Sequence, residues 1–186
     1  MKHLFSVLIP AFLLLLSCQG LRAQQGNGFV RSFEAGAVYS VKGCGLSFVF
    51  PFRDGGTGEA RILADFERVL RGHEAHPGTR IQFFRNFILQ EIDVADDLTL
   101  HLFGGPGLTA GLVRDRGKEA GYLMALSVGG GADLLFRNTP VTVSAGFSAD
   151  LGAHLIVRNQ YDNTMTVYQN GWLRAWYPEV SVKYRF

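Results

Sequence analysis

Apolar side chains recur at every second position along most of this chain, and turn-rich stretches separate the runs. A two-residue period is the signature of a strand with one apolar face. In residues 33–41, Phe33, Ala35, Ala37, Tyr39 and Val41 share a face opposite Glu34, Gly36 and Ser40. After "KGCG", an apolar stripe runs through Cys44, Leu46, Phe48, Phe50 and Phe52 and stops at "RDGGTGE". Thr79, Ile81, Phe83, Phe87 and Leu89 alternate with Arg80, Gln82, Asn86 and Gln90, and Leu98, Leu100 and Leu102 with Thr99 and His101. Tyr122, Met124, Leu126, Val128, Ala132 and Leu134 stand opposite Ser127, Gly129, Gly131 and Asp133. The longest clean alternation sets Val141, Val143, Ala145, Phe147, Ala149, Leu151 and Ala153 against Thr142, Ser144, Gly146, Ser148, Asp150 and Gly152. A last strand is predicted over residues 172–186.

Residues 60–71 are ambiguous. Ile62, Leu63, Phe66, Val69 and Leu70 fall at helical spacing, with Arg61, Asp65, Arg68 and Arg71 opposite. As a strand, the segment points Ile62, Ala64 and Phe66 outward. We read it as a strand, because a barrel with both ends on one side of a membrane needs an even strand number and this segment supplies the eighth.

The face opposite the apolar one decides between two kinds of barrel. A soluble barrel hides its apolar face and carries long charged side chains outside; a membrane barrel turns the apolar face to lipid and fills its lumen with small and polar groups. Here that second face is rich in Gly, Ser and Thr, as in "SVGGGAD" and "SAGFSADLGAH". The expectation is therefore an all-β, antiparallel up-and-down transmembrane barrel of about eight strands, a size whose interior side chains just fill. Lone charges on the lumen side, Asp133, Asp150, Glu179, Lys183 and Arg185, must then pair across it, since an unpaired buried charge is costly. Trp172, Trp176, Tyr177 and Tyr184 are expected at the membrane interfaces, where amphipathic rings settle. Pro51, Pro106 and Pro178 fall within proposed strands and are expected at bulges or strand ends.

The first 23 residues read as a secretory signal: Lys2, an apolar run from Leu4 to Leu16, and Ala23 before Gln24. The barrel domain is then residues 24–186. "LLSC" offers a second reading, in which Cys18 is an acylated lipoprotein terminus. Loss of the signal removes Lys2 and Arg22 and no acid, which brings the 18 Lys and Arg level with the 16 Asp and Glu. The mature chain is thus electrically balanced, giving no support to a nucleic-acid partner. Cys44 is then the remaining cysteine, too few for a disulfide framework or a thiolate metal site.

The exported chain, its alternation, the "FGGPGLTAGLVRD" stretch and the terminal "VSVKYRF" resemble the small outer-membrane β-barrel proteins of Gram-negative bacteria, of the OmpX-like kind. The likeness covers about residues 29–186. It implies an integral outer-membrane location, contact with outer-membrane lipids, and recognition by the barrel-assembly machinery through a last strand with apolar residues at alternate positions ending on Phe. Val180, Val182, Tyr184 and Phe186 match that pattern. Longer outer loops are expected at residues 73–78, 114–120 and 158–171, and their ligand is not legible.

"GPGLTA" has the form of a dinucleotide fingerprint but lacks the following helix and the acid about twenty residues on. His73 and His76 are an incomplete metal set. His101, Ser148, Asp150 and His154 invite an acyl-hydrolase reading, although Asp150 and His154 on one strand lie roughly 13 Å apart at about 3.3 Å per residue. No cofactor or catalytic residue is expected. The function read from the sequence is a filled-lumen barrel, no general pore, that is structural or else binding or adhesive through its outer loops; the alternatives are a lipid-modifying acyl hydrolase and a soluble periplasmic or lipoprotein lipid-binding barrel.

Overall fold

The computed structural model describes residues 32–53, 55–66, 78–114, 120–155, 166–169 and 171–186. The signal and lipidation readings, His73 and His76, and most of the three expected outer loops lie outside these residues. Nine strands run along the described chain: β1 (Glu34–Ser40), β2 (Gly43–Pro51), β3 (Thr57–Asp65), β4 (Gly78–Ala95), β5 (Leu98–Arg114), β6 (Ala120–Phe136), β7 (Val141–Leu155), β8 (Thr166–Gln169) and β9 (Trp172–Arg185). Among the described residues there is no helix.

Each strand pairs antiparallel with its sequence neighbour from β1 to β7, β7 pairs with β9, and β9 pairs with β1, so eight strands form a closed wall. Closure satisfies backbone groups that an open sheet would leave bare. The register is staggered: Ser40 pairs with Gly43, Gly43 with Asp65 and Asp65 with Gly78, yet on the closing side Ser40 meets Glu179, well inside β9. That offset is the shear that tilted strands need to close. It leaves the upper edge of β9 beyond the end of β1, and β8 occupies it, pairing Thr166 with Ala175 through Gln169 with Trp172. The connections from β2 to β3, β4 to β5 and β6 to β7 share one end with both described termini, where the Phe186 amide bonds the Phe33 carbonyl at 2.9 Å.

The ambiguous third segment is a strand where it is described. Ile62 pairs with Leu46 on one side and Ile81 on the other, so three apolar side chains line up on one face. Cross-strand neighbours of that kind outweigh a local helical spacing.

The prolines correct the sequence reading. Pro51 does end β2, paired with Thr57. Pro106 sits mid-strand opposite Val128 without a shift in the β5–β6 register. Its missing N–H falls where the β4–β5 ladder is interrupted between Phe84↔Gly107 and Phe87↔Gly104, and the register shift lies farther on, between Ile88 and Gln90. Pro178 also sits mid-strand, opposite Phe147. On its other side the β1 pairing has ended at Glu179 and the β8 pairing has not begun, so among the described residues no strand pairs with the proline there.

A filled polar lumen as the candidate functional site

The alternation sorts side chains by face, and the sorting is the inverse of a soluble protein. Tyr39, Leu46, Phe48, Ile62, Ile81, Leu108, Val128, Phe147, Leu151 and Trp176 are exposed on the outside, while Ser47, Glu59, Arg61, Arg80, Gln82, Thr109, Ser148, Asp150, Glu179 and Lys183 are buried within. A polar interior is tolerated only when its groups bond one another. They do so in three clusters.

The middle cluster centres on Arg61. Its guanidinium grips Glu59 with Nε on Oε1 at 2.8 Å and Nη2 on Oε2 at 3.0 Å, and its Nη1 reaches Glu179 Oε1 at 2.6 Å. Ser47 donates to Glu59 at 2.6 Å, Asn86 donates to Glu59 at 3.1 Å, and Ser148 donates to Glu179 at 3.2 Å. The Phe84 ring lies under Arg61, 4.8 Å from Cζ. One cation between two acids, with hydroxyl and amide donors on the remaining lone pairs, is the geometry that offsets the desolvation of buried charge.

The second cluster lies toward the β1–β2 turn. Arg80 bridges Asp65 at 2.8 Å and Asp150 at 3.5 Å. Ser127 and Tyr177 both donate to Asp150, at 2.7 Å and 3.2 Å, and Gln82 donates to the Tyr177 hydroxyl at 2.7 Å and to Thr109 at 3.1 Å. Lys42 covers the outer side of the Tyr177 ring, 5.2 Å from its centre. The cavity left between Lys42, Asp65, Arg80 and Tyr177 is about 10 Å³, room for one water at most. Toward the chain ends, Lys183 lies 3.6 Å from Asp133 and 4.0 Å from Glu34, which also accepts from Thr142 at 3.4 Å.

The charges expected in the lumen are thus divided among these clusters. Asp150, Glu179, Lys183 and Asp133 line it; Arg185 instead sits at the rim, bonded to the carbonyls of Phe136 and, at 2.6 Å, Thr139. Trp172, Trp176, Val180, Val182, Tyr184 and Phe186 are exposed on the outer face. Tyr177 is the correction among the expected belt residues: it is 1% exposed and points inward. Parity requires this, because Tyr177 shares its face with Glu179 and alternates with Trp176. Grouping the rings by residue type obscured it.

Sequence reasoning passed over Glu59, Arg61, Arg80 and Gln82 as lumen anchors. Their alternation with Ile62 and Ile81 was the available signal. The hydrolase candidates are not drawn together. Ser148 bonds Glu179, Asp150 bonds Ser127 and Tyr177, and His101 lies 3.5 Å from Glu91 at the end that holds the described termini. His154 sits near the opposite end, its amide bonded to the Gly171 carbonyl at 3.0 Å. Among the described residues no group of three or more His, Cys, Asp or Glu is arranged to hold a metal ion.

No protein-family model matches the sequence, and no curated protein matches it. Among solved structures, the N-terminal β-barrel domain of Pseudomonas aeruginosa OprF is similar, with a TM-score of 0.50 over 83% of this chain and 96% of that one at 11% identity. At that identity the likeness is one of fold: this chain is a closed, eight-stranded antiparallel barrel of the same type.

Proposed function

We propose that this protein is an integral outer-membrane β-barrel with a side-chain-filled lumen, structural or adhesive through the loops at the end opposite its termini. The observation that carries this reading is the inverted distribution of side chains. Phe48, Ile62, Phe83, Leu108, Val128, Phe147 and Val180 stand outside, against a lumen of paired ions. Such an outer surface is far larger than the apolar patches that soluble monomers expose, and hydrocarbon is the solvent that suits it. A furrow of about 460 Å³ bounded by Tyr39, Leu46, Val180 and Val182 gives lipid chains a surface to lie in.

The packed lumen argues against general diffusion, since Arg61, Phe84, Arg80, Tyr177 and Leu173 fill its cross-section. In this reading the partners are outer-membrane lipids and, during biogenesis, the barrel-assembly machinery, which reads Val180, Val182, Tyr184 and Phe186. The chain is not an enzyme in this proposal, and the serine and acid of the hydrolase reading serve lumen hydrogen bonds. Export by residues 1–23 completes the proposal.

Membrane fractionation with a heat-modifiable gel shift tests it. The protein is expected in the outer-membrane fraction, migrating faster unheated than boiled. Recovery in the soluble periplasmic fraction overturns it. Lipid A profiles with and without expression are expected to be identical, and a new lipid species dependent on His154 favours the hydrolase instead.

A further inference from the structure

Among the described residues of β1, β2, β3, β6, β7 and β9, one outward position carries a charge, and it is Arg174. The side chain is exposed and shares its face of β9 with Trp172 and Trp176, both exposed as well. Across the ladders it stands opposite Leu151 on β7 and Val167 on β8. Directly opposed residues in an antiparallel pair lie on the same face, so the neighbours of Arg174 along and across the strands are apolar. In the lumen, Arg61 has Glu59 and Glu179, and Arg80 has Asp65 and Asp150. Arg174 has no such acid among the described residues.

A charge on the outer face is costly at mid-depth and tolerated near the interface. The two tryptophans mark that boundary, at the end of the barrel opposite the described termini. The anion that the boundary offers is the lipid phosphate, which a guanidinium grips with two parallel hydrogen bonds.

The wall also has a place for that lipid's chain. The outward row of β9 continues from Trp176 through Pro178, Val180 and Val182. With Tyr39 and Leu46 its last two residues bound the furrow of about 460 Å³. The floor is low because Ala37, paired with Val182 and Leu46, and Cys44, paired with Tyr39, are small. At about 3.3 Å per residue, Val180 lies roughly 20 Å along the strand from Arg174. A strand tilt of roughly 40° turns this into about 15 Å of depth, half of a hydrocarbon layer about 30 Å thick. A chain anchored at Arg174 therefore reaches the furrow where one leaflet ends.

We propose that Arg174 and the furrow form one binding site for an anionic phospholipid, its phosphate on Arg174 between Trp172 and Trp176 and an acyl chain along Val180 and Val182. The site rests on the membrane reading and adds the lipid chemistry that the wall selects. A zwitterionic lipid carries its own cation beside the phosphate and competes poorly for the guanidinium.

Trp172 and Trp176 are the two tryptophans of the chain, so intrinsic fluorescence reads this site alone. The test folds the full barrel into phosphatidylcholine vesicles at physiological ionic strength. A small mole fraction of chain-brominated phosphatidic acid, which quenches tryptophan on contact, is compared with brominated phosphatidylcholine at the same fraction. Phosphatidic acid is expected to be enriched about fivefold beside the tryptophans, as suits one basic residue at an anionic headgroup. Arg174→Gln is expected to abolish the excess, and Arg174→Lys to keep part of it, since a point charge replaces the two-pronged grip. Ala37→Leu, which fills the furrow, is expected to reduce it. Quenching by brominated phosphatidylcholine shows that each variant has inserted. Equal quenching by the two lipids, or an excess untouched by Arg174→Gln or by Ala37→Leu, overturns the lipid site alone. A native chain quenched by neither lipid has not inserted, and overturns the membrane reading with it.

Discussion

Arg61 donates to Glu179 at 2.6 Å across 118 residues of chain, from β3 through the lumen to β9. The bond spans the seam that closes the barrel, because β1 and β2 lie between those strands in the wall. Both side chains are almost wholly buried, and Glu59 is buried beside them. Removing the cation from this trio leaves two desolvated carboxylates facing each other. Arg61→Met is therefore expected to destabilise the folded barrel by about 3–5 kcal/mol, the range for an orphaned partner of a buried pair. Glu179→Gln keeps a hydrogen-bond acceptor for Arg61 and is expected to cost less. Urea unfolding in lipid vesicles, followed by tryptophan fluorescence and gel shift, measures both; equal midpoints for Arg61→Met and the native chain would show that water reaches this cluster.

The same trio shows what the sequence could and could not disclose. That Arg61 opposes Ile62 is visible in the two-residue period, and so is the outward face of almost every strand. Which residue Arg61 meets is not, because alternation assigns a face and says nothing about the shear that brings β3 opposite β9. Local spacing even favoured a helix around Ile62, Leu63 and Phe66; contacts with Leu46 and Ile81, distant in sequence, reverse that preference. Tyr177 was legible by parity with Glu179 yet misplaced by its chemistry beside Trp176. Pro106 and Pro178 were misplaced for a related reason, since the interrupted ladder and the seam that accept them exist only after closure.

Phe84 and Gly107 set a second expectation. The Phe84 ring fills the lumen against Gly107, where an added Cβ would come within 2.5 Å of the ring and 2.6 Å of the Phe83 carbonyl oxygen. Gly107→Val is expected to destabilise by about 1–3 kcal/mol through overpacking. Phe84→Leu, which clears part of that space, is expected to recover some of the loss, so the double variant should be less destabilised than the sum of the two single ones. Strict additivity in the unfolding midpoints would mean that the backbone, not the ring, limits this position.

Tyr177→Phe isolates a hydrogen bond from its ring. The hydroxyl accepts from Gln82 at 2.7 Å and donates to Asp150 at 3.2 Å, while the ring still packs under Lys42. Loss of the hydroxyl leaves the Gln82 amide with Thr109 and leaves Asp150 with Ser127 and Arg80. The expected cost is about 1–2 kcal/mol, smaller than that of Arg61→Met because the remaining partners are still in place. Urea midpoints in the same vesicles compare the two directly, and a cost for Tyr177→Phe as large as for Arg61→Met would mark the Asp150 cluster as the principal brace.

Val128 and Ser127 are neighbours on β6 that meet different solvents, and a charge tells them apart. Val128 stands outward at the middle of the strand, 52% exposed, opposite Pro106 and Ala149; Ser127 is buried against Asp150. On a water-facing surface Val128→Arg would be neutral or would aid solubility. On a lipid-facing one an arginine at mid-depth costs about 2–4 kcal/mol, falling towards zero near the interfaces. Val128→Arg is therefore expected to impair folding into vesicles, while Leu155→Arg, at the end of β7, is expected to have little effect. If the two arginines are tolerated equally, the apolar outer face does not lie in hydrocarbon. This comparison is sharper than fractionation, because it tests the solvent at one residue and leaves the lumen, whose bonds hold the fold together, unchanged.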